Sequence, residues 1–337
     1  MALRDLTLEI TRKCPMSCKL CSSNGGKPCD PEFTFEELKG IVDQAKELGV
    51  TEISLSGGEP FTSLFLSDLC KYISDLDIDV FVFTSGNYSD TTNITSPIPL
   101  DKLIKLQKSG AKKIVFSLHG SNAVIHDKIT RKEGSYNNLL QSIRNAKEVD
   151  LELEVHVVPV RENYKDIPAI VDLLNCIGVE SLHILRFVPQ GRGETYREEL
   201  ELNKIEQFEL NGMLNNIVAN SPITITVGAH FNDFDIKTTG RCTAGTRKAV
   251  IRPDGCVYPC VGMKCLQNLS TYDVRSKNLK DIIDNSSCFV LSRNLLKEEN
   301  CCLAQKLAKR DIVAIDKKTF DKKLSMKPFN ACTYQLS

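Results

Sequence analysis

The sequence predicts an α/β protein built on a parallel sheet. Strand and helix periodicities alternate strictly over roughly the first 200 residues, and a polar, turn-rich stretch then ends the alternation. Strand patterns fall at Leu6 to Ile10, Glu52 to Ser56, Asp79 to Thr84, Lys113 to Leu118, Glu152 to Pro159 and Ser181 to Phe187. Between them the first helix carries Phe35, Leu38, Ile41, Val42, Ala45 and Leu48 on one face, with Thr34 and Glu37 spaced as a capping box. Further helices are expected near Leu64 to Asp75, Leu100 to Ser109, Tyr136 to Glu148 and Ile167 to Ile177. A parallel neighbour is reached only by a long return, so each helix is a right-handed crossover. After Phe187 come the segment VPQGRGETYREELELNK, a helix near Lys204 to Ala219, and a cysteine-rich remainder with strand-like pieces at Ile223 to Val227 and Ala249 to Arg252. The expected division is a βα-repeat domain over 1–200, a bridging helix and linker over 201–234, and a small α+β domain over 235–337.

At 337 residues the chain can bury a substantial core without disulfides. Lys plus Arg and Asp plus Glu both number 43, so there is no net basic field for a phosphate backbone, and nucleic acid is not an expected partner. The N-terminus lacks the basic flank and long apolar run of a signal peptide, and nowhere do about 18 apolar residues run together, so a cytoplasmic, non-membrane protein is expected. Fourteen cysteines in such a chain point to metal ligation and to packing rather than disulfides. Cys70 and Cys176 are expected to pack on apolar helix faces.

Directly after the first strand stands T-R-K-Cys14-P-M-S-Cys18-K-L-Cys21. Three thiolates on a loop at the carboxyl end of a strand can surround one metal centre from one side. The spacing fits a structural zinc poorly, because that ion takes four closed ligands. A cubane iron–sulfur cluster on three cysteines leaves one iron open to a further ligand. In this the sequence resembles the radical S-adenosylmethionine (SAM) superfamily, whose C-x3-C-x2-C motif matches Cys14, Cys18 and Cys21. The second strand ends in Ser56-Gly57-Gly58-Glu59-Pro60, similar to the family's GGEP turn, where glycines bring backbone close to a ligand and a carboxylate can meet the SAM ammonium.

The resemblance implies a partial (β/α)6 barrel that binds a 4Fe-4S cluster and SAM. It carries over Gly57, Gly58, Glu59 and Pro60 as SAM-binding residues, with Ser85 in the polar turn after the third strand. Ser117, closing the fourth strand, and Arg131 become candidates for the SAM carboxylate. Two departures stand out. Leu20 replaces the family's usual aromatic before the last cysteine, so adenine packing is aliphatic or comes from elsewhere, and His119 replaces a commoner Asp, where it serves as a structural histidine or a proton carrier.

In RCTAGTRKAVIRPDGCVYPC, Cys242 is followed by twelve residues, Gly255, four residues and Cys260. This resembles the opening of the SPASM/twitch extension of the same superfamily, with Asp254-Gly255 as a hairpin turn. The longer SPASM cysteine run is absent, which suits the shorter twitch form with one auxiliary 4Fe-4S cluster. Cys242 and Cys260 would be two ligands, completed from Cys301, Cys302 and Cys332. A structural zinc on the same thiolates is the alternative.

Three functions follow. The first is oxidative modification of a ribosomal peptide, with a low-potential donor such as flavodoxin or ferredoxin supplying electrons. No leader-recognition module is expected before the first strand, so leader binding is expected to use another surface or a separate protein. The second is a radical dehydrogenase or rearrangement enzyme for a small metabolite. The third, a non-catalytic iron–sulfur carrier, has no use for a GGEP turn. Arg186, Gln190 and Arg192, at the carboxyl end of the sixth strand, are expected to face a pocket or lie on a solvated loop.

Overall fold

The computed structural model describes residues 3–90, 94–228, 242–264, 271–298 and 304. The predicted strands form in order: β1 (Asp5–Thr11), β2 (Glu52–Gly57), β3 (Asp79–Thr84), β4 (Ala111–Ser117), β5 (Glu152–Val157) and β6 (Ser181–Ile184). Each is hydrogen-bonded in parallel to the next. The helices between them are α1 (Phe35–Glu47), α2 (Leu66–Ser74), α3 (Leu100–Lys108), α4 (Ala123–Thr130), α5 (Ser135–Lys147) and α6 (Ile167–Cys176). This is the expected partial (β/α)6 barrel.

The sheet runs on at both edges. β7 (Thr224–Val227) pairs parallel to β6, and β8 (Lys248–Ile251) pairs parallel to β1, with β9 (Val257–Tyr258) antiparallel outside it. The order is β9-β8-β1-β2-β3-β4-β5-β6-β7. Both strand-like pieces of the C-terminal third thus extend the barrel sheet. Their partners lie far away in sequence, which periodicity cannot show.

Alternation along β1 explains how the core divides. Leu6, Leu8 and Ile10 point to one face and are buried with Leu38, Ile41, Val42 and Ala45 of α1, while Thr7, Glu9 and Thr11 share the opposite, inner face. Helix α1 begins with the capping box in place: Glu37 N–H donates to Thr34 Oγ1 at 3.2 Å and Thr34 N–H donates to Glu37 Oε2 at 2.7 Å. Such a cap is worth about 1 kcal/mol. Helix α4 was not anticipated, because its sequence AVIHDKIT has no clean apolar stripe. Asn122 caps its N-terminus and a left-handed Arg131 (φ 56°) ends it. Cys70 is buried as expected, but Cys176 is exposed. The buried stripe of α6 is Ile167, Ile170, Val171 and Leu174, and Cys176 lies two residues on, about 200° round the helix. After β6, helix α7 (Lys204–Asn220) leads into β7, and α8 (Leu279–Asn285) and α9 (Ser287–Glu298) follow β9. Among the described residues no helix is long and apolar enough to cross a membrane.

Candidate cluster and cofactor site

Where β1 ends, the chain turns into the loop carrying Cys14, Cys18 and Cys21. Cys14 N–H donates to Gly26 O and Gly26 N–H to Arg12 O, both at 2.9 Å, so the loop folds back along its own start. Two backbone N–H groups point at sulfur: Met16 to Cys14 Sγ and Gly25 to Cys21 Sγ, each at 3.4 Å. Burial, reinforced by the neighbouring Cys18 sulfur, pushes the Cys14 thiol well above its ordinary range. Burial and the adjacent Cys21 push Cys18 up to about 12, against the lowering pull of Arg192. Left to the protein alone Cys14 and Cys18 keep their protons. A multivalent iron centre would supply the positive field that makes thiolates of such sulfurs, and N–H donors already face Cys14 and Cys21, so the residues fit a three-cysteine cluster.

The GGEP turn at the end of β2 lies against this loop. A Cβ at Gly57 (φ +132°) would stand 2.2 Å from Thr11 O, and one at Gly58 2.1 Å from Lys13 O. Only glycines allow that approach, which is held by Gly58 N–H to Thr11 O (2.7 Å) and Glu59 N–H to Lys13 O (2.8 Å). Pro60 opens a single 3-10 turn, Pro60–Thr62. The resemblance implies that Glu59 meets an ammonium. Its carboxylate is fully buried and accepts hydrogen bonds from protein donors. Oε1 accepts from Thr84 Oγ1 (2.7 Å) and Phe61 N–H (3.4 Å), and Oε2 from Ser85 N–H (2.8 Å) and Ser85 Oγ (2.6 Å). Through these donors Glu59 ties the end of β3 to the turn. Ser85 is thereby drawn into the same assembly.

Ser117 closes β4 in register with His156 on β5, which is in register with His183 on β6. Arg131 donates from Nη1 to Tyr196 Oη at 2.6 Å, and its backbone O accepts from Ser17 Oγ at 3.4 Å. Leu20, like Ile125, Val158, Phe187 and Tyr196, packs against the buried cluster of Ile129, Val160 and Leu200, an apolar setting that includes aromatics from other segments. His119 and His126 are buried, with ring centroids 5.7 Å apart. Burial lowers His119 to about 3 and His126 to about 4, so both are neutral at physiological pH.

Beyond β6, Gln190 and Arg192 are anchored to protein groups rather than lying on a solvated loop. Gln190 is buried and donates to Val261 O at 2.6 Å. Arg192 binds the cluster loop: its N–H donates to Cys21 O (3.0 Å), Nε to Cys18 O (2.9 Å) and Nη1 to Gly25 O (2.6 Å). Lys264 reaches into the same region and forms a buried ion pair with Glu9 of β1, also donating to Ser23 Oγ at 2.6 Å. The G-R-G triplet after β6 was the available signal for Arg192. Nothing in the local sequence signals the Lys264 contact.

A second polar group on the inner face also escaped the sequence. Glu154 and His156 of β5 and His183 of β6 bring one ligand atom each within 4.8 Å of one another. His156 Nε2 lies 2.5 Å from Glu154 Oε1, and Lys113 Nζ lies 3.2 Å from Glu154 Oε2. The alternation E-L-E-V-H-V in β5 places Glu152, Glu154 and His156 on one face, which was the legible signal.

Among the C-terminal cysteines, Cys242 and Cys260 are half-buried. The β8–β9 hairpin forms around the expected Asp254-Gly255 turn. Cys301, Cys302 and Cys332 lie outside the described residues.

The description "Radical SAM superfamily" matches residues 8–174. An AdoMet-dependent heme synthase of Methanosarcina barkeri is 24% identical over 310 residues, covering 86% of this chain and 84% of that protein. A PqqA peptide cyclase of Bradyrhizobium diazoefficiens is 25% identical over 292 residues, covering 84% and 73%. Among solved structures, SuiB of Streptococcus suis bound to its precursor peptide SuiA superimposes with a TM-score of 0.71 at 16% identity, over 90% of this chain and 72% of that one.

Proposed function

Because this chain belongs to the radical SAM superfamily, and is thus an enzyme using a 4Fe-4S cluster and SAM, we propose that it oxidatively modifies a side chain or Cα of a ribosomal peptide. When bound, the cluster supplies the electron that opens SAM to methionine and a 5′-deoxyadenosyl radical, which takes a hydrogen atom from a substrate carbon. The observation that carries the reading is the cluster loop bearing Cys14, Cys18 and Cys21, packed against Gly57-Gly58-Glu59 and fastened by Arg192. Gly57, Gly58 and Pro60 shape the turn that faces SAM, Glu59 and Ser85 brace it, and Ser117 and Arg131 are the proposed carboxylate contacts. Leu20 and its apolar neighbours exclude water beside the adenine. Likeness to a peptide cyclase supports a peptide substrate.

In the same reading Cys242 and Cys260, with Cys301, Cys302 and Cys332 as remaining candidates, hold an auxiliary 4Fe-4S cluster that accepts the substrate electron. The proposed domains remain 1–200, 201–234 and 235–337, and the proposed setting is the cytoplasm, with flavodoxin or ferredoxin as donor. A small metabolite is the second reading, favoured by the polar inner face of Glu154, His156 and His183 and by the heme synthase relative.

Anaerobically reconstituted protein given dithionite and SAM should release 5′-deoxyadenosine, and the Cys14→Ala, Cys18→Ala, Cys21→Ala triple variant should not. Continued release from that variant would overturn the cluster assignment. Wild-type protein should carry about eight irons and no stoichiometric zinc if both sites hold four-iron clusters. About four irons with one zinc would make the second site structural. Offering peptides and small metabolites encoded or made beside the gene, and following deuterium transfer into 5′-deoxyadenosine, separates the two substrate readings.

A further inference from the structure

The Arg192 guanidinium is held on two sides by carbonyls of the cluster loop, yet Nη2 is buried and has no hydrogen-bond partner among the described residues. A buried guanidinium N–H without an acceptor costs a large part of its desolvation energy, so an acceptor is expected to arrive with a ligand. The neighbours limit what that ligand is. The three hydrogen bonds that Arg192 donates among the described residues end on Cys18, Cys21 and Gly25, and Gly25 N–H itself points at Cys21 Sγ. Gly191 makes the approach possible: at φ +59° a Cβ there would stand 2.7 Å from Cys21 O and 2.8 Å from Ser22 O, both rigid backbone atoms.

We propose that Arg192 contacts the cofactor: its Nη2 N–H donates to a sulfur of the cluster held by Cys14, Cys18 and Cys21, and so makes that cluster easier to reduce. The inference rests on the cluster assignment above. A hydrogen bond from a cation stabilises the sulfur charge that grows on reduction, so its loss lowers the midpoint potential. The same residue is also the clasp that joins the chain after β6 to the cluster loop. Cluster geometry and cluster potential are thereby set by one side chain.

The test is a redox titration by EPR of reconstituted Arg192→Gln and Arg192→Lys, with iron counted in each. EPR reads only the loaded fraction, so a residue that merely clasps the loop would lower iron content without moving the potential. The expected result is a fall of about tenfold in the reduced-to-oxidised ratio at fixed potential, which is 59 mV for a one-electron couple. Gly191→Ala, which leaves the arginine intact but displaces its backbone, should shift the midpoint in the same direction. A measurement on the unaltered protein guards against variants that fail to load. Wild-type chain grown with guanidino-15N arginine should show 15N hyperfine coupling to the reduced cluster. No 15N coupling, or an unchanged midpoint in fully loaded Arg192→Gln, overturns the proposal. Iron content and 5′-deoxyadenosine release of the wild type report separately on the cluster assignment itself.

Discussion

If Glu59 braces the turn, altering it should weaken the protein before SAM is ever added. Glu59→Gln is the mild perturbation. A glutamine with its carbonyl on the Oε2 side keeps both Ser85 donors, at 2.8 and 2.6 Å. Its amide then faces Thr84 Oγ1 and Phe61 N–H, where the carboxylate had accepted at 2.7 and 3.4 Å. The hydroxyl can turn and accept, but the N–H of Phe61 cannot. One buried donor is left unsatisfied at about 1–3 kcal/mol, and relief from burying a charge offsets part of this, so the expected loss is about 1–2 kcal/mol. Glu59→Ala strands at least two donors and should cost about 3–5 kcal/mol. The assay is the urea midpoint of iron-free protein, followed by circular dichroism.

The pH dependence gives a second handle on the same residue. Burial raises the Glu59 carboxyl above 4.5, with the Ser85 and Thr84 hydrogen bonds pulling the other way. A group whose folded pKa is raised contributes stability that is fully present below its unfolded value and is lost as pH rises through the folded one. Wild-type protein therefore gains stability on going from neutral pH toward 4.5, while the glutamine variant gains nothing from this site. The gap between them should widen as pH falls. An unchanged midpoint in Glu59→Ala, together with weaker SAM binding, would refute the bracing role and return the carboxylate to the SAM ammonium.

Other expectations follow from the same geometry. Gly58→Ala should lose iron retention, because its Cβ would meet Lys13 O at 2.1 Å and Arg12 O at 2.5 Å and push the cluster loop away; iron per chain after gel filtration reads this. Lys264→Met should destabilise by about 3–5 kcal/mol by leaving Glu9 buried and unpaired, and adding Glu9→Gln should recover part of it in a double-mutant cycle on the denaturant midpoint. Burial pushes Glu154 up, but His156 and Lys113 together outweigh it and bring it to about 2. Its stabilisation is thus present above about 4.5 and lost as pH falls toward 2. After discounting for its partial exposure, Glu154→Gln should remove on the order of 1–2 kcal/mol at pH 6 and much less at pH 3.

What could be read in advance was whatever is local. The capping box of Thr34 and Glu37 is a spacing of three, the face of α1 a period of 3.6, and the cluster loop a triplet beside the end of a strand, so each was visible within a dozen residues. The Asp254-Gly255 hairpin belongs to the same class. Glu59 marks the limit: the turn was legible, but whether its carboxylate faced a ligand or the protein depended on Thr84 and Ser85, 25 and 26 residues away on the next strand. Arg192 lies further out still, 174 residues from the carbonyl its Nε binds, and Lys264 is 255 residues from Glu9. These long contacts share a direction, from the later chain onto the inner face of β1 and the cluster loop behind it. A loop of three cysteines and two close-packed glycines has little apolar surface with which to fix its own shape. Its geometry must therefore be imposed by elements that fold against it from elsewhere, and the residues that do so carry no motif of their own because any sufficiently long cation at the right place in the fold can serve. The Lys264→Met and Gly191→Ala variants probe two such restraints on opposite edges of the sheet. If cluster geometry is imposed in this way, each should broaden or shift the cluster EPR signal with Cys14, Cys18 and Cys21 untouched. Identical spectra in both would mean that the loop holds its shape alone.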